Sequence, residues 1–364
     1  MIHKTLFGQM PNGENVGENV VESAGENVEE FSLINNNNVS INILSLGGII
    51  RAWHLPLKDG SPLDIVLGFD TLDDYLTDDS YLGALVGRYA NRINKGQFQL
   101  GTVAYQADVN QAGNCLHGGS QGFNSRIWQA TVLSDTTNPS IMLELTSPDG
   151  DQGFPGNIKL KTIYTLSEQN CLSIEYFAQS DQDTVYNPTN HSYFNLAGHQ
   201  SGSVKNHQIQ LSASHFTPID AKGIPTGDIT SVNNTPFDFN QLKSINSSLC
   251  AEHQQITYGN GLDHNWCLDK YDSQDHTAHY AGSVQDKHSG VSLKIYTSMP
   301  GMQIFTANHF LDKKGKKGAV YQPNQGLCFE TQFYPDSPNQ AHFPSAQLTA
   351  GQEFYSITQY QLTF

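Results

Sequence analysis

Charge is scarce in this chain. Asp, Glu, Lys and Arg make up only 15% of its 364 residues, against a usual share of about 25%. Positive charge is scarcer still: 19 Lys and Arg stand against 35 Asp and Glu, a formal charge of −16. That balance argues against a nucleic acid or an anionic membrane surface as partner. The one basic cluster, Lys313, Lys314, Lys316 and Lys317 broken by Gly315, reads as a solvated hairpin tip. Cysteine is sparse too. Cys115, Cys171, Cys250, Cys267 and Cys328 are odd in number and form no Cys-x-x-Cys pair. This argues against a disulfide framework or a zinc site and for a reducing compartment. No apolar run approaches the ~18 residues of a membrane span, and no charged-then-apolar leader opens the chain. Neither a span nor a signal peptide is expected, and the cytoplasm is the expected compartment. Long helix-period stretches alternating with strands are also missing, which disfavours a parallel α/β fold.

What is present is period two. Val39, Ile41 and Ile43 alternate with Ser40 and Asn42; Ile141, Leu143 and Leu145 with Met142, Glu144 and Thr146; Leu172, Ile174 and Tyr176 with Ser173 and Glu175; Val291, Leu293 and Ile295 with Ser292 and Lys294. Such alternation puts one strand face on a core and the other toward solvent. Residues 167–170, Ser-Glu-Gln-Asn, read as a hairpin loop between two such runs. Thr71 to Asp78, with Thr71 as N-cap, and Gln241 to Cys250 are the two short helices expected. The fold class is all-β: a large antiparallel β-sandwich with few short helices, 1–364 forming one domain. Within it, 13–30 repeats Gly-Glu-Asn-Val three times and reads as an acidic surface insertion.

Several segments combine polar groups with Gly and aromatics: Asn91-Arg92-Ile93, Leu116-His117-Gly118-Gly119, Asn190-His191-Ser192-Tyr193-Phe194-Asn195-Leu196, Asp263-His264-Asn265, Gln303, and Glu330-Thr331-Gln332. They lie too far apart to be one local motif and meet only if the fold brings them together. Five of these elements, in this order and at compatible spacing, resemble the aldose 1-epimerase (galactose mutarotase) family from the first strand to the C-terminus. The resemblance implies a galactose mutarotase-like supersandwich and an isomerase that interconverts the α and β anomers of D-galactose or D-glucose. It implies Glu330 as general base on the C1 hydroxyl, His191 as general acid on the ring oxygen, and His117 as a second histidine near that oxygen. It assigns Asn91, Arg92, Asp263 and Gln303 to sugar binding. No cofactor and no metal is implied, the partner is a small aldohexose, and the expected state is a monomer or homodimer. The chain departs from the family in the acidic repeat and in Thr306-Ala307-Asn308, where relatives often have Gly before the Asn.

The residue types fit that chemistry independently. Opening a cyclic hemiacetal takes a proton off O1 and puts one on O5, which a carboxylate and an imidazole can do without a redox partner. Partial burial is expected to raise Glu330, and nearby carboxylates to keep His191 protonated. A carboxylate in the apolar run Leu327 to Phe329 has to be paired or functional. The plainer readings are a structural ion pair for Glu330, a turn for Asp263, a surface or supporting place for His264, and core packing for Trp266, Phe305 and Phe333. His276, His279 and His288 read as a solvated loop. Rival functions are a glycoside hydrolase using Asp263 and Glu330, a metal enzyme using His117, His191 and Glu330, a non-catalytic sugar binder, and a hexose-6-phosphate epimerase drawing on Arg88, Arg92 and the Lys313 region.

Overall fold

A computed structural model describes residues 1–11, 25–56 and 61–364. Three large antiparallel sheets, with several two-stranded ribbons, carry the chain. The first holds Ile2–Gln9, Asn27–Ile34, Ser40–Leu44, Ile50–Pro56 and Pro62–Asp64 in chain order. The second is nine-stranded. On one side of it Ser140–Ser147, Ile158–Leu166 and Cys171–Ser180 run as a meander, and the last strand, Glu353–Thr363, enters at the centre between Cys171–Ser180 and Ser292–Thr297. The third, six-stranded, runs Tyr193–Phe194, Leu327–Gln332, Gly301–Phe305, Asp263–Cys267, His215–Thr217, Thr230–Ser231.

The alternating runs are strands, with their apolar members buried: Ile41 and Ile43, Ile141 and Leu143, Leu172 and Ile174, Leu293 and Ile295. Residues 167–170 close a hairpin in which the Ser167 hydroxyl accepts from the N–H groups of Gln169 and Cys171. The sheets meet at Trp53, Phe194 and Tyr360, one from each, with ring centroids 5.6–6.4 Å apart. Burying a Phe or Leu in such a core stabilises the fold by ~1.5–3 kcal/mol. Leu327–Gln332 is two-faced. Phe329 and Thr331 turn to the nine-stranded sheet, where Tyr360 donates to the Phe329 carbonyl at 3.1 Å and the Thr331 and Thr358 hydroxyls pair. Cys328, Glu330 and Gln332 therefore face the other way.

Thr71 caps a short helix, Leu72–Leu76, by accepting from the Asp74 N–H. The helix expected over 241–250 is one turn, Asn246–Leu249, because Lys243–Ser244 pairs instead with Gln208–Leu211 at the sheet edge. A further helix, Gln254–Gly259, ends on Asn260 in the left-handed region. Part of the acidic repeat is not loop: Asn27–Ile34 is a strand with Val28 buried, while 13–24 lie outside the described residues. The lysine cluster forms a hairpin, but its tip is not simply solvated. Lys313 and Lys314 pair with Asp78 and Asp74 at 2.5 and 3.0 Å. Lys316 is buried and donates to Asp64 Oδ2, the Arg51 carbonyl and the Val66 carbonyl at 2.6–2.8 Å. The hairpin folds back on the acidic first helix and the first sheet, so charge pairing overrides solvation. Among the described residues no helix is long and apolar enough to cross a membrane.

Candidate active site

Two short strands set one wall of a cleft. Arg92–Ile93 pairs antiparallel with Cys115–Leu116. Both residues flanking this ladder, Asn91 and His117, take positive φ, 63° and 51°, an uncommon conformation for non-glycine residues that has to be held by its surroundings. Here a reciprocal clasp holds it: His117 N–H donates to the Asn91 carbonyl at 3.0 Å, and Asn91 N–H donates to His117 Nδ1 at 3.2 Å. Because Nδ1 accepts, the neutral ring carries its proton on Nε2. The next residue must be glycine. Gly118 sits at φ 91°, and a Cβ there would lie 2.0 Å from the Gly87 carbonyl oxygen.

The opposite wall is the free face of the six-stranded sheet. Cross-strand register aligns Asp263 with Phe305 and Phe305 with Cys328, then Asn265 with Gln303 and Gln303 with Glu330. His191 arrives from the turn between Thr189–Asn190 and Tyr193–Phe194, its ring 5.0 Å from Tyr193 and 5.1 Å from His117. Its Nε2 lies 3.6 Å from Glu330 Oε1. One ligand atom each from His117, His191 and Glu330 fall within 4.8 Å of one another. Asp263 accepts from Gln303 Nε2 at 2.7 Å and faces Arg92 Nη1 at 3.5 Å, while Arg92 Nε donates to Gln111 at 3.0 Å. Glu330 Oε2 and Gln303 Oε1 are buried acceptors without a donor among the described residues, a state that a ligand hydroxyl would relieve.

The fold thus brings together Glu330, His191, His117, Asn91, Arg92 and Asp263 on one cleft with about 450 Å³ of empty space, and Gln303 joins them through Asp263. Tyr81, Gln111, Phe305 and His309 are among the other residues that line it. Tyr81, Gln111 and His309 had no signal in sequence; only the fold turns them inward. Phe305 is at the cleft, whereas Trp266 is core and donates to the Phe237 carbonyl. His264 is not on the surface: it is fully buried against Gln255. Arg88 does not reach the cleft. Its buried guanidinium donates to the carbonyls of Ser147, Pro148, Pro155 and Gly156.

Burial dominates the electrostatics. It pushes Glu330 well above the ordinary carboxylate range; Asp263 adds to the rise, and Arg92 opposes it. Burial lowers His117 strongly and His191 to about 4. The expectation that carboxylates keep His191 protonated fails, because desolvation of the imidazolium outweighs the attraction of Asp263. The directions of these shifts favour a shared proton on Glu330 over one on His191. Such a pair, a carboxyl and an imidazole side by side with neutral hydrogen-bonding groups around them, can exchange two protons with neighbouring oxygens of one small polar molecule.

A model of the aldose 1-epimerase family matches residues 29–361. The chain is 39% identical to the galactose mutarotase of Mus musculus, over 100% of this chain and 98% of that protein. It is 35% identical to the aldose 1-epimerase of Escherichia coli (strain K12), over 93% and 96%. Its fold is similar to an aldose epimerase homologue from C. elegans (TM-score 0.83, 31% identity, 92% and 99% covered). A galactose 1-epimerase from Lactobacillus acidophilus NCFM gives a TM-score of 0.82 at 26% identity, with 100% and 98% covered.

Proposed function

The chain belongs to the aldose 1-epimerase family, and from that premise we propose that Glu330, His191 and His117 carry out the interconversion of α and β anomers of galactose or glucose in the cleft between them. The observation that carries the assignment is the 3.6 Å approach of Glu330 Oε1 to His191 Nε2. O1 and O5 of a hemiacetal are bonded to the same carbon, so the base for one and the acid for the other have to stand side by side.

Glu330, as carboxylate, takes the O1 proton; His191, as imidazolium, protonates O5; the C1–O5 bond breaks. The aldehyde rotates about C1–C2 and recloses on its other face, with Glu330 returning a proton to O1 and His191 taking one from the attacking O5 hydroxyl. The proton has to move from Glu330 to His191 before ring opening. A sugar O1–H donating into Glu330 and a ring oxygen accepting from His191 favour that arrangement, because hydrogen bonds to a charged form stabilise it. His117 Nε2–H supplies a neutral donor beside the ring oxygen. Asn91, Arg92, Asp263 and Gln303 bind the remaining hydroxyls.

A neutral sugar suits this cleft better than a sugar phosphate. Arg92, the one Lys or Arg among the residues lining the cleft, is already opposed by Asp263, and Lys313 by Asp78 and Asp79, which leaves little positive charge there to take a phosphate. The reading of 1–364 as one domain is supported by the core that all three sheets share. The test is polarimetry of freshly dissolved α-D-galactose. Wild type is expected to speed the approach to equilibrium rotation, and Glu330→Gln and His191→Asn to lose about 10²–10⁴-fold in kcat while staying folded. Near-normal kcat in either variant removes that residue's role. Two His and a carboxylate within 4.8 Å also form a set that divalent metals take. Exhaustive chelation is expected to leave the rate unchanged, and a loss restored by added metal would replace the acid–base scheme.

A further inference from the structure

Two residues of the motifs that build the cleft do not line it. Asn265, two places after Asp263, and Gln332, two places after Glu330, are absent from its walls, yet both are buried on the same sheet face as Glu330. Cross-strand register sets Thr217, Asn265, Gln303 and Glu330 in one row across neighbouring strands. Gln332 stands beside that row, directly across from Gly301. A Cβ on Gly301 would run into the Asn265 amide oxygen and the Tyr334 ring. The Asn265 and Gln332 amides therefore border one spot above Gly301. Along the row, Thr217 Oγ1, both polar atoms of the Asn265 amide, Gln303 Oε1 and Glu330 Oε2 are buried without a hydrogen-bond partner among the described residues, and so are both polar atoms of the Gln332 amide beside it.

Buried polar groups are almost always hydrogen-bonded, and each one left over calls for a partner. Here donors and acceptors are left over together. The amide N–H groups disfavour a cation, and the Glu330 carboxyl disfavours an anion. Sugar hydroxyls enter from the cleft, which Asn265 and Gln332 do not line. A small neutral molecule that both donates and accepts fits, and water is such a molecule; buried waters make about three hydrogen bonds to groups of this kind. We propose that Asn265, Gln303, Glu330 and Gln332 enclose an internal water site, in which water anchored by the two amides donates to Oε2 of Glu330. Its role rests on Glu330 as the base. Oε1 is the oxygen that meets His191, and proton exchange belongs there. Burial makes a carboxylate at Glu330 costly. A donor at Oε2 favours the charged form, so that Glu330 can stand ionised when ring opening begins. The water gives up no proton. It keeps its O–H on Oε2 while Oε1 takes the O1 proton and later returns it. A carboxylate or amide oxygen has more than one acceptor site, so sugar hydroxyls and water do not exclude each other at Glu330 or Gln303.

A crystal structure of the wild-type protein that orders its internal solvent, free and with galactose, is expected to show water within hydrogen-bond distance of the Asn265 and Gln332 amides and of Glu330 Oε2. Side chains that bond one another directly, with no solvent density between them, overturn the site. Kinetics test its role. Gln332→Met keeps bulk and removes the amide. It is expected to lower kcat about 10–100-fold, the size of one lost hydrogen bond to a charged group, with KM little changed. Asn265→Leu is expected to do the same, and the double variant to lose little more than either single one, because both amides act through the same water. Wild-type kcat in a folded Gln332→Met, a rise in KM alone, or losses that multiply in the double variant overturn the role. If neither variant folds, the wild-type density decides. Normal turnover in Glu330→Gln would overturn the base and the water's role with it. Wild-type crystals without the water, beside an inactive Glu330→Gln, overturn the inference and leave the base in place.

Discussion

The chemistry proposed for Glu330 and His191 rests on desolvation as much as on residue type. In that scheme the pair works while it shares one proton. As pH falls toward about 4, His191 gains a proton while Glu330, held high, keeps its own. Two protons then sit on the pair, the base is gone, and the rate falls. As pH rises through the elevated range of Glu330, its proton leaves with His191 already neutral; the acid is gone and the rate falls again. A bell-shaped kcat profile is expected, its limbs belonging to the coupled pair rather than to either residue. Background-corrected polarimetry across pH checks it, and a profile without an alkaline limb contradicts the raised carboxyl. Asp263 adds to that rise, so Asp263→Asn is expected to move the alkaline limb to lower pH and to raise KM. Unchanged limbs would remove Asp263 from the electrostatics of the base. At this scale the sequence named Glu330, His191 and His117 through short ordered motifs. It misjudged the protonation of His191 and was silent on Tyr81 and His309, because burial and inward orientation are not local properties.

Elements divide in the same way. The long strands were legible because a side-chain period of two survives in the sequence whenever one face is buried. The turn of helix at Asn246–Leu249 was overestimated because the preceding residues found a strand partner 34 to 36 positions earlier, Lys243 against Ile209 and Ser244 against Gln208. The lysine hairpin was placed correctly as a hairpin but its environment was not. Lys316→Met is expected to cost about 3–5 kcal/mol, since it strands the buried Asp64 carboxylate; denaturant unfolding measures it. A loss below about 1 kcal/mol, the surface-pair range, would contradict the burial. Gly118→Ala strains a left-handed position and drives a methyl into the Gly87 carbonyl, so both thermal midpoint and kcat are expected to drop as His117 is displaced. Wild-type turnover in that variant would show that the His117 clasp tolerates movement.

The whole molecule is held by a core that no single segment announces. Trp53, Phe194 and Tyr360 close the junction of three sheets, and Tyr360 also bonds the backbone of the Glu330 strand. Trp53→Ala is expected to destabilise by about 3–5 kcal/mol and to loosen the cleft from behind, raising KM without touching the reacting groups. Stability loss with unchanged kinetics would mean that the cleft is independent of the junction. The sequence by itself determined the class of fold, the hairpins, the family and the candidate acid–base residues, since strand alternation and short motifs are local and survive in one dimension. Only the tertiary structure decided that residues from 91 to 330 share one cleft, which lysine is buried, which nitrogen of each histidine faces inward, and where the shared proton rests. Those depend on desolvation and on partners far away in the chain, and neither is encoded in any one stretch of it.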